Sequence, residues 1–188
     1  MKFELTLPRD TKHKASNMIV NSNDRFHPQV KAKMIKRIRN FAYWHTLMTK
    51  DKERAAFSPS NPCEVTVTIY SPTKSRLDPP NLYPTVKAII DGMTDAGIWV
   101  DDNHKVIKSM AFRYGGLSGE KGHYKLTFDI EKSKTRCLEC GFECSDESSD
   151  YLNIQKTGMC IDCERDFIEY LEEVENEQTG SDCQHLPN

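Results

Sequence analysis

The sequence predicts an α+β fold with two parts: a mixed or antiparallel sheet with helices, then a small cysteine-rich module. Three observations support this. Strand-like and helix-like patterns follow one another in the order β-α-β-α-β-β. Residues 1–136 carry 24 basic and 14 acidic side chains, whereas residues 137–188 carry 2 and 14, so the charge changes sign. Six of the seven cysteines also follow residue 136. The predicted parts are a domain at 1–134, a module at 135–174 and an acidic, disordered tail at 175–188.

Hydrophobic periodicity predicts the first strand and the first helix. Residues 2–7 alternate polar and apolar side chains, as a half-buried strand does, and a polar loop follows at 9–27. Pro28 suits the first turn of a helix, and apolar residues then recur near helical spacing as far as Leu47. The other face of this helix is basic, which favours contact with phosphates over the alternative of a merely solvated face.

The rest of the domain is predicted to contain three strands and a second helix. Residues 64–70 alternate strictly and predict a strand. The helix that follows has Pro84 in its first turn and is expected to end at Gly97. Residues 105–114 and 123–130 indicate two more strands, and the glycine-rich segment between them is interpreted as a flexible hairpin loop.

Acidic side chains cluster around the second helix. Asp78 precedes it, Asp91 lies on it four residues after Lys87, and Asp101 and Asp102 follow it. Hydrolysis of a phosphodiester requires stabilised charge on the phosphate oxygens and a water in line with the leaving group. Mg²⁺ meets both needs and prefers carboxylate and water ligands. The cluster therefore suggests metal-dependent phosphodiester chemistry, with Lys87 as a phosphate contact.

Simpler interpretations exist for the same residues. Lys87 and Asp91 could form a surface ion pair worth less than about 1 kcal/mol. Asp101 and Asp102 could belong to a plain turn, although two adjacent acids after an apolar run favour a functional use. Asp95, also on the helix, is interpreted as a solvent-facing acid.

The segment DGMTDAGIWVDD, at residues 91–102, resembles the signature of RusA-like Holliday junction resolvases, a helix that ends DALxxAGVWxDD. Asn81 and Lys87 also match that family, as does the predicted order of elements, over roughly residues 1–132. One position departs from the pattern, because Pro80 stands where the family commonly has a second acid before the Asn. Either Asp91 or Asp101 then completes the metal shell, or the metal site is weakened.

The resemblance implies a Mg²⁺-dependent, homodimeric endodeoxyribonuclease that cuts four-way DNA junctions symmetrically, of a kind frequent in phages. A two-fold dimer facing a two-fold junction would account for paired nicks. The implied Mg²⁺ ligands are Asp78 and Asp102. The implied catalytic residues are Asp78, Lys87, Asp91, Asp101 and Asp102. The basic surface and the resemblance together suggest DNA contacts at Arg25, Lys31, Lys33, Lys36, Arg37, Arg76 and Asn81.

Two CxxC pairs predict a structural zinc site. Cys137 and Cys140 form the first pair and Cys160 and Cys163 the second, a spacing typical of a tetrahedral four-thiolate site. Disulfide bonds are the alternative and are disfavoured in a reducing cytosol. A helix at 164–174 would complete a zinc-ribbon or treble-clef-like module.

Other cysteines fit less well as ligands. Cys144 is interpreted as a spare thiol, Cys183 and His185 as weaker candidates still, and Cys63 as a core residue. The acidic module favours a protein contact or a stabilising role over DNA binding.

The sequence has no apolar run long enough to span a bilayer and no visible secretory signal. The expected location is therefore the cytoplasm, that of the host if a phage encodes the chain. Two alternative functions stay open, a catalytically inactive binder of branched DNA and a zinc-dependent adaptor.

Overall fold

The structure is a computed structural model that describes residues 1–180 except 11, 14, 51–55 and 145–147, with side chains as far as residue 175. The chain divides into two compact units, Met1–Ser133 and Lys134–Asn188. Within the part that the structure describes, no helix is long and apolar enough to cross a membrane.

The first unit is a four-stranded mixed sheet with two α-helices. Its strands are β1 (Lys2–Pro8), β2 (Cys63–Ser71), β3 (Ile107–Leu117) and β4 (His123–Lys132). Its helices are α1 (Pro28–Thr49) and α2 (Tyr83–Asp95), and a 3-10 turn at Pro79–Leu82 leads into α2. The strand order is β1-β4-β2-β3, with β2 parallel to β3 and the other neighbours antiparallel. The predicted α+β class with a mixed sheet is confirmed.

The glycine-rich segment does not close a hairpin, so that prediction is wrong. Strand β2 lies between β3 and β4, and the connection passes the end of β2, where the Ser118 N–H donates to the Ser71 carbonyl at 2.8 Å. Gly115 belongs to β3, and a Cβ there would lie 2.5 Å from the ring of Tyr70. This glycine therefore permits close packing of strands and does not mark a flexible loop.

One apolar core holds the sheet and the two helices together. Every second residue of β1 is buried, as the predicted alternation requires, and Cys63 is buried as expected. The apolar helical residues buried in this core are Met34, Ile38 and Ala42 of α1 and Val86, Ala88, Ile89, Ile90 and Met93 of α2. The helices approach each other closely at Gly92, where a Cβ would lie 2.4 Å from the carbonyl oxygen of Arg39.

The second unit contains a two-stranded ribbon and two helices. The ribbon pairs β5 (Thr135–Arg136) with β6 (Glu143–Cys144), and the helices are α3 (Ser149–Thr157) and α4 (Ile161–Gly180). Helix α4 is longer at both ends than the predicted 164–174, and it enters the segment predicted as a disordered tail from residue 175. The remainder of that tail, 181–188, lies outside the described residues, and so do Cys183 and His185.

Candidate functional site

Three of the predicted site residues meet beside helix α2. The Nζ of Lys87 donates to Asp91 Oδ1 at 2.5 Å, as the spacing of four residues on one helix allows. The same Nζ donates to Asp102 Oδ2, which reaches it from the turn after the helix. Two carboxylates from different segments therefore converge on one ammonium group.

The position of Asp102 depends on how α2 ends. Gly97 adopts a φ of +76°, which suits glycine, and its N–H donates to the Thr94 carbonyl at 2.9 Å. Ile98 and Trp99 are then buried, and the Trp99 indole N–H donates to the Thr94 hydroxyl at 2.5 Å. The chain turns back along α2 because its apolar residues enter the core, and this brings Asp102 to Lys87.

Lys87 remains a cation in this environment. Partial burial lowers the pKa of its ammonium group, but the hydrogen bonds to Asp102 and Asp91 and the charges of these carboxylates outweigh burial and raise the pKa above its ordinary value. A phosphate oxygen that approaches would meet an ammonium already held in place, whereas a metal ion would compete with that ammonium for the two carboxylates. Lys87 and Asp91 therefore do not form a simple two-residue ion pair, because Asp102 contacts the same ammonium group.

Asp101 and Asp78 lie apart from this convergence. Asp101 shapes the turn, since its carboxylate accepts from the Asp102 N–H at 2.8 Å and from the Asn103 side chain at 2.7 Å. Asp78 stands before the 3-10 turn with 61% of its side chain exposed, 3.9 Å from Arg76 Nε and 3.5 Å from Asn81 Nδ2. No contact in the described part of the chain joins Asp78 to Lys87, Asp91 or Asp102.

Most of the predicted DNA contacts are exposed on the first unit: Arg25, Lys31, Lys33, Lys36, Arg76 and Asn81 are available to solvent in whole or in part. Arg37 has a different environment. Its guanidinium donates to the carbonyl oxygens of Ala15 and Asn17, the second at 2.5 Å, and so ties the loop before α1 to that helix. The loop is also held by an ion pair between Arg9 and Asp24 at 2.7 Å.

Sequence reasoning missed the pair formed by Arg39 and Asp95. The Nε and Nη2 of Arg39 donate to both oxygens of Asp95, at 2.6 and 2.7 Å, so this acid is not simply solvent-facing. The hydrogen bond from Arg39 holds the pKa of Asp95 below its usual range. Asp95 follows Asp91 by four residues, and this spacing is the signal that places both acids on one side of the helix.

The chemistry of Asp91 and Asp102 fits a magnesium ion. Mg²⁺ is commonly bound by one or two carboxylates, with waters and substrate phosphates as its other ligands. Because the two carboxylates lie within hydrogen-bonding distance of the same nitrogen, they are close enough to share a cation. This pair of carboxylates differs from Asp78 and Asp102, the pair that the resemblance implies as Mg²⁺ ligands.

The four predicted zinc ligands come together in the second unit. The sulfur atoms of Cys137, Cys140, Cys160 and Cys163 all lie within 4.8 Å of one another, and those of Cys140 and Cys160 are 3.8 Å apart. Tetrahedral zinc with bonds of about 2.3 Å places its sulfurs about 3.8 Å apart. The cluster can therefore hold a zinc ion. Among the described residues, these four cysteines form the one group of three or more Cys, His, Asp or Glu side chains whose ligand atoms lie this close together.

The local backbone prepares the first ligand for a metal. Hydrogen bonds from the backbone of Cys140 and Cys160 lower the pKa of the Cys137 thiol to about 6. Hydrogen bonds with the neighbouring Cys160 and Cys140 side chains raise the pKa of Cys163, because they favour its neutral thiol. Cys144 is buried beside this cluster, but its Sγ faces the Thr135 carbonyl at 3.7 Å and stands outside the set of four.

No protein-family model matches this chain, and no curated protein matches it.

Proposed function

We propose that this chain is a Mg²⁺-dependent endonuclease of branched DNA, similar to RusA-like Holliday junction resolvases, with a zinc module at its carboxyl end. The observation that supports this best is the convergence of Asp91 and Asp102 on Lys87. These residues lie in the segment whose sequence resembles that family. The proposal includes a homodimer, because symmetric cleavage of a junction requires two sites.

Each residue of the cluster has a proposed task. Asp102 and Asp91 would hold the metal ion, which would supply charge withdrawal from the phosphate oxygens and activation of a water. Lys87, released from one or both carboxylates, donates to a phosphate oxygen and balances the negative charge that develops there. Ile98 and Trp99 keep the turn in place, so the carboxylates need little rearrangement before substrate binds.

The charge of the first unit supports DNA as the substrate. It contains most of the 24 basic side chains of residues 1–136, and Lys31, Lys33 and Lys36 lie exposed on α1. Such side chains bind phosphates regardless of base sequence. Recognition of a branch would then depend on the shape of the substrate.

The zinc module is proposed to be structural and to contact protein. Helix α4 leaves Phe167, Ile168 and Tyr170 about half exposed in a unit with strong negative charge. A cavity of about 400 Å³ beside the cysteines is lined partly by Phe167, Glu139 and Asp166. Aromatic and acidic groups of this kind suit a partner with basic and apolar side chains and repel DNA.

The proposal is tested by incubating the full chain with a four-way junction of synthetic oligonucleotides, with and without Mg²⁺. We expect paired nicks at symmetric positions that require the metal, and little cleavage of a linear duplex with the same sequences. Binding of the junction without any cleavage in Mg²⁺ or Mn²⁺ would instead support the inactive binder.

The two ligand pairs are separated by comparing Asp91→Asn with Asp78→Asn in the same assay. The contacts predict that Asp91→Asn raises the Mg²⁺ concentration needed for cleavage, because one of the two converging carboxylates loses its charge. If only Asp78→Asn has this effect, the pair implied by the resemblance is the correct one.

A further inference from the structure

Arg39 lies beside the acid cluster without belonging to it. The close crossing of α1 and α2 at Gly92 brings the backbone of Arg39 next to the residue that follows Asp91. Its side chain reaches Asp95, about 6 Å further along the axis of α2 than Asp91. The pKa of Arg39 is raised by its hydrogen bond to Asp95, with further contributions from the charges of Asp91 and Asp102, so the guanidinium is within electrostatic range of both.

The ion pair fixes one edge of the guanidinium and leaves the rest available. Of its five N–H groups, one on Nε and one on Nη2 are used by Asp95. The other three have no hydrogen-bond partner in the part of the chain that the structure describes. The Arg39 side chain is 46% exposed, so these groups can meet a ligand from solvent.

A structural role accounts poorly for this arrangement. An ion pair exposed to this degree adds little to stability. Asp91, Asp95 and Asp102 would together repel an approaching phosphate, and Lys87 alone does not offset three carboxylates. A second fixed cation beside them reduces that repulsion. A guanidinium also presents paired N–H groups that match the geometry of phosphate oxygens.

We propose that Arg39 forms a phosphate-binding subsite next to Lys87, oriented by Asp95, and that its ligand is the sugar–phosphate backbone of the DNA strand bound at the acid cluster. The subsite rests on the proposed function only in taking DNA as the ligand. It does not depend on cleavage.

The test measures binding of the four-way junction by the full chain at several salt concentrations, without added Mg²⁺. A lost phosphate contact lowers the slope of log affinity against log salt by about 0.9. Raising the salt from 50 to 200 mM should therefore weaken binding by the wild-type chain about 3.5-fold more than binding by Arg39→Ala. Arg39→Lys keeps the charge and should keep the wild-type slope.

Arg165→Ala is the matched control. Arg165 also pairs with an aspartate on an exposed helix, Asp162 at 2.6 Å, but it lies in the acidic unit, and its loss should leave the slope unchanged. A wild-type slope for Arg39→Ala would overturn the subsite even if the junction is cleaved in Mg²⁺. A reduced slope together with no cleavage would support the subsite and sink the nuclease.

Discussion

Removal of zinc should unfold the second unit and leave the first unit folded. The buried side chains of the second unit are few, chiefly Cys137, Cys144, Ile154 and Cys160, and two of these, Cys137 and Cys160, are cysteines of the CxxC pairs. A unit of this size buries too little apolar surface to fold by itself. Binding of a structural zinc ion by thiolates provides about 10–16 kcal/mol, which then becomes the folding energy of the unit.

The size of the effect follows from the helix lengths. Helices α3 and α4 contain 9 and 20 residues, against 22 and 13 in α1 and α2. Loss of the second unit should therefore remove almost half of the helical signal in far-UV circular dichroism, while strand signals and the thermal transition of the first unit persist.

The assay compares the purified chain before and after treatment with a zinc-selective chelator, with the metal content measured in parallel. Cys140→Ser should reproduce the chelated spectrum, whereas Cys144→Ser should retain one zinc per chain, because Cys144 stands outside the set of four sulfurs. A full helical signal after verified loss of the metal would refute the reasoning, and so would a folded second unit that never contained zinc.

Three further predictions concern the first unit and are checked by chemical denaturation. Gly92→Ala should lower the free energy of unfolding by about 1–3 kcal/mol, because the added Cβ is overpacked against the Arg39 carbonyl oxygen. This loss should occur although alanine gains about 1 kcal/mol of helix propensity. Equal or higher stability would contradict the close crossing of the two helices. Thr85→Val should lower the free energy of unfolding by about 1–3 kcal/mol, because the buried Thr85 hydroxyl accepts from the Val20 N–H at 2.7 Å and donates to the Val20 carbonyl at 2.9 Å. An unchanged free energy of unfolding would mean that these hydrogen bonds add nothing to stability. Burial lowers the pKa of His45 below its ordinary 6.5. As the pH drops below about 6.5, His45 is therefore protonated in the unfolded chain before it is protonated in the folded chain, and the free energy of unfolding should fall. His45→Leu should reduce this fall, and an identical pH profile would exclude His45 as a cause.

Local patterns predicted most elements of the first unit. Alternation identified β1 and β2, and Pro28 and Gly97 marked the start of α1 and the end of α2, because each pattern depends on neighbours in sequence. The position of β2 between β3 and β4 depends on pairing between distant segments, for which no short pattern exists. The glycines at the end of β3 were misread for the same reason.

The second unit illustrates a different limit. The sequence does not predict helix α3, since Ile154 is its one buried residue and the apolar side chains Tyr151, Leu152 and Ile154 are too few to establish a helical period. Its ends do carry signals: the Ser148 side chain accepts from the Tyr151 N–H, and Gly158 follows the last turn with a φ of +85°. The cysteine spacing, by contrast, predicted the cluster correctly because ligand geometry is encoded in short motifs.

The candidate site was predictable by residue type and less so by partner. Lys87 and Asp91 were paired from their spacing, but the approach of Asp102 follows from burial of Trp99, and the pair of Arg39 with Asp95 follows from the crossing of α1 and α2. The position of Asp78 just before α2, together with the resemblance, predicts that it joins these acids, but the described contacts leave it separate.

The central claim is tested most directly by Mg²⁺-dependent cleavage of a four-way junction by the wild-type chain and by Asp102→Asn. Loss of this carboxylate should reduce the cleavage rate on the order of 100-fold or more, equivalent to about 3 kcal/mol of transition-state stabilisation, while junction binding persists. Asp129→Asn is the control, because Asp129 is a partly exposed acid of β4 that pairs with Lys2 at 3.7 Å, and this variant should cleave at the wild-type rate. Equal cleavage by the wild type and Asp102→Asn, or no cleavage by either, would contradict the proposed site.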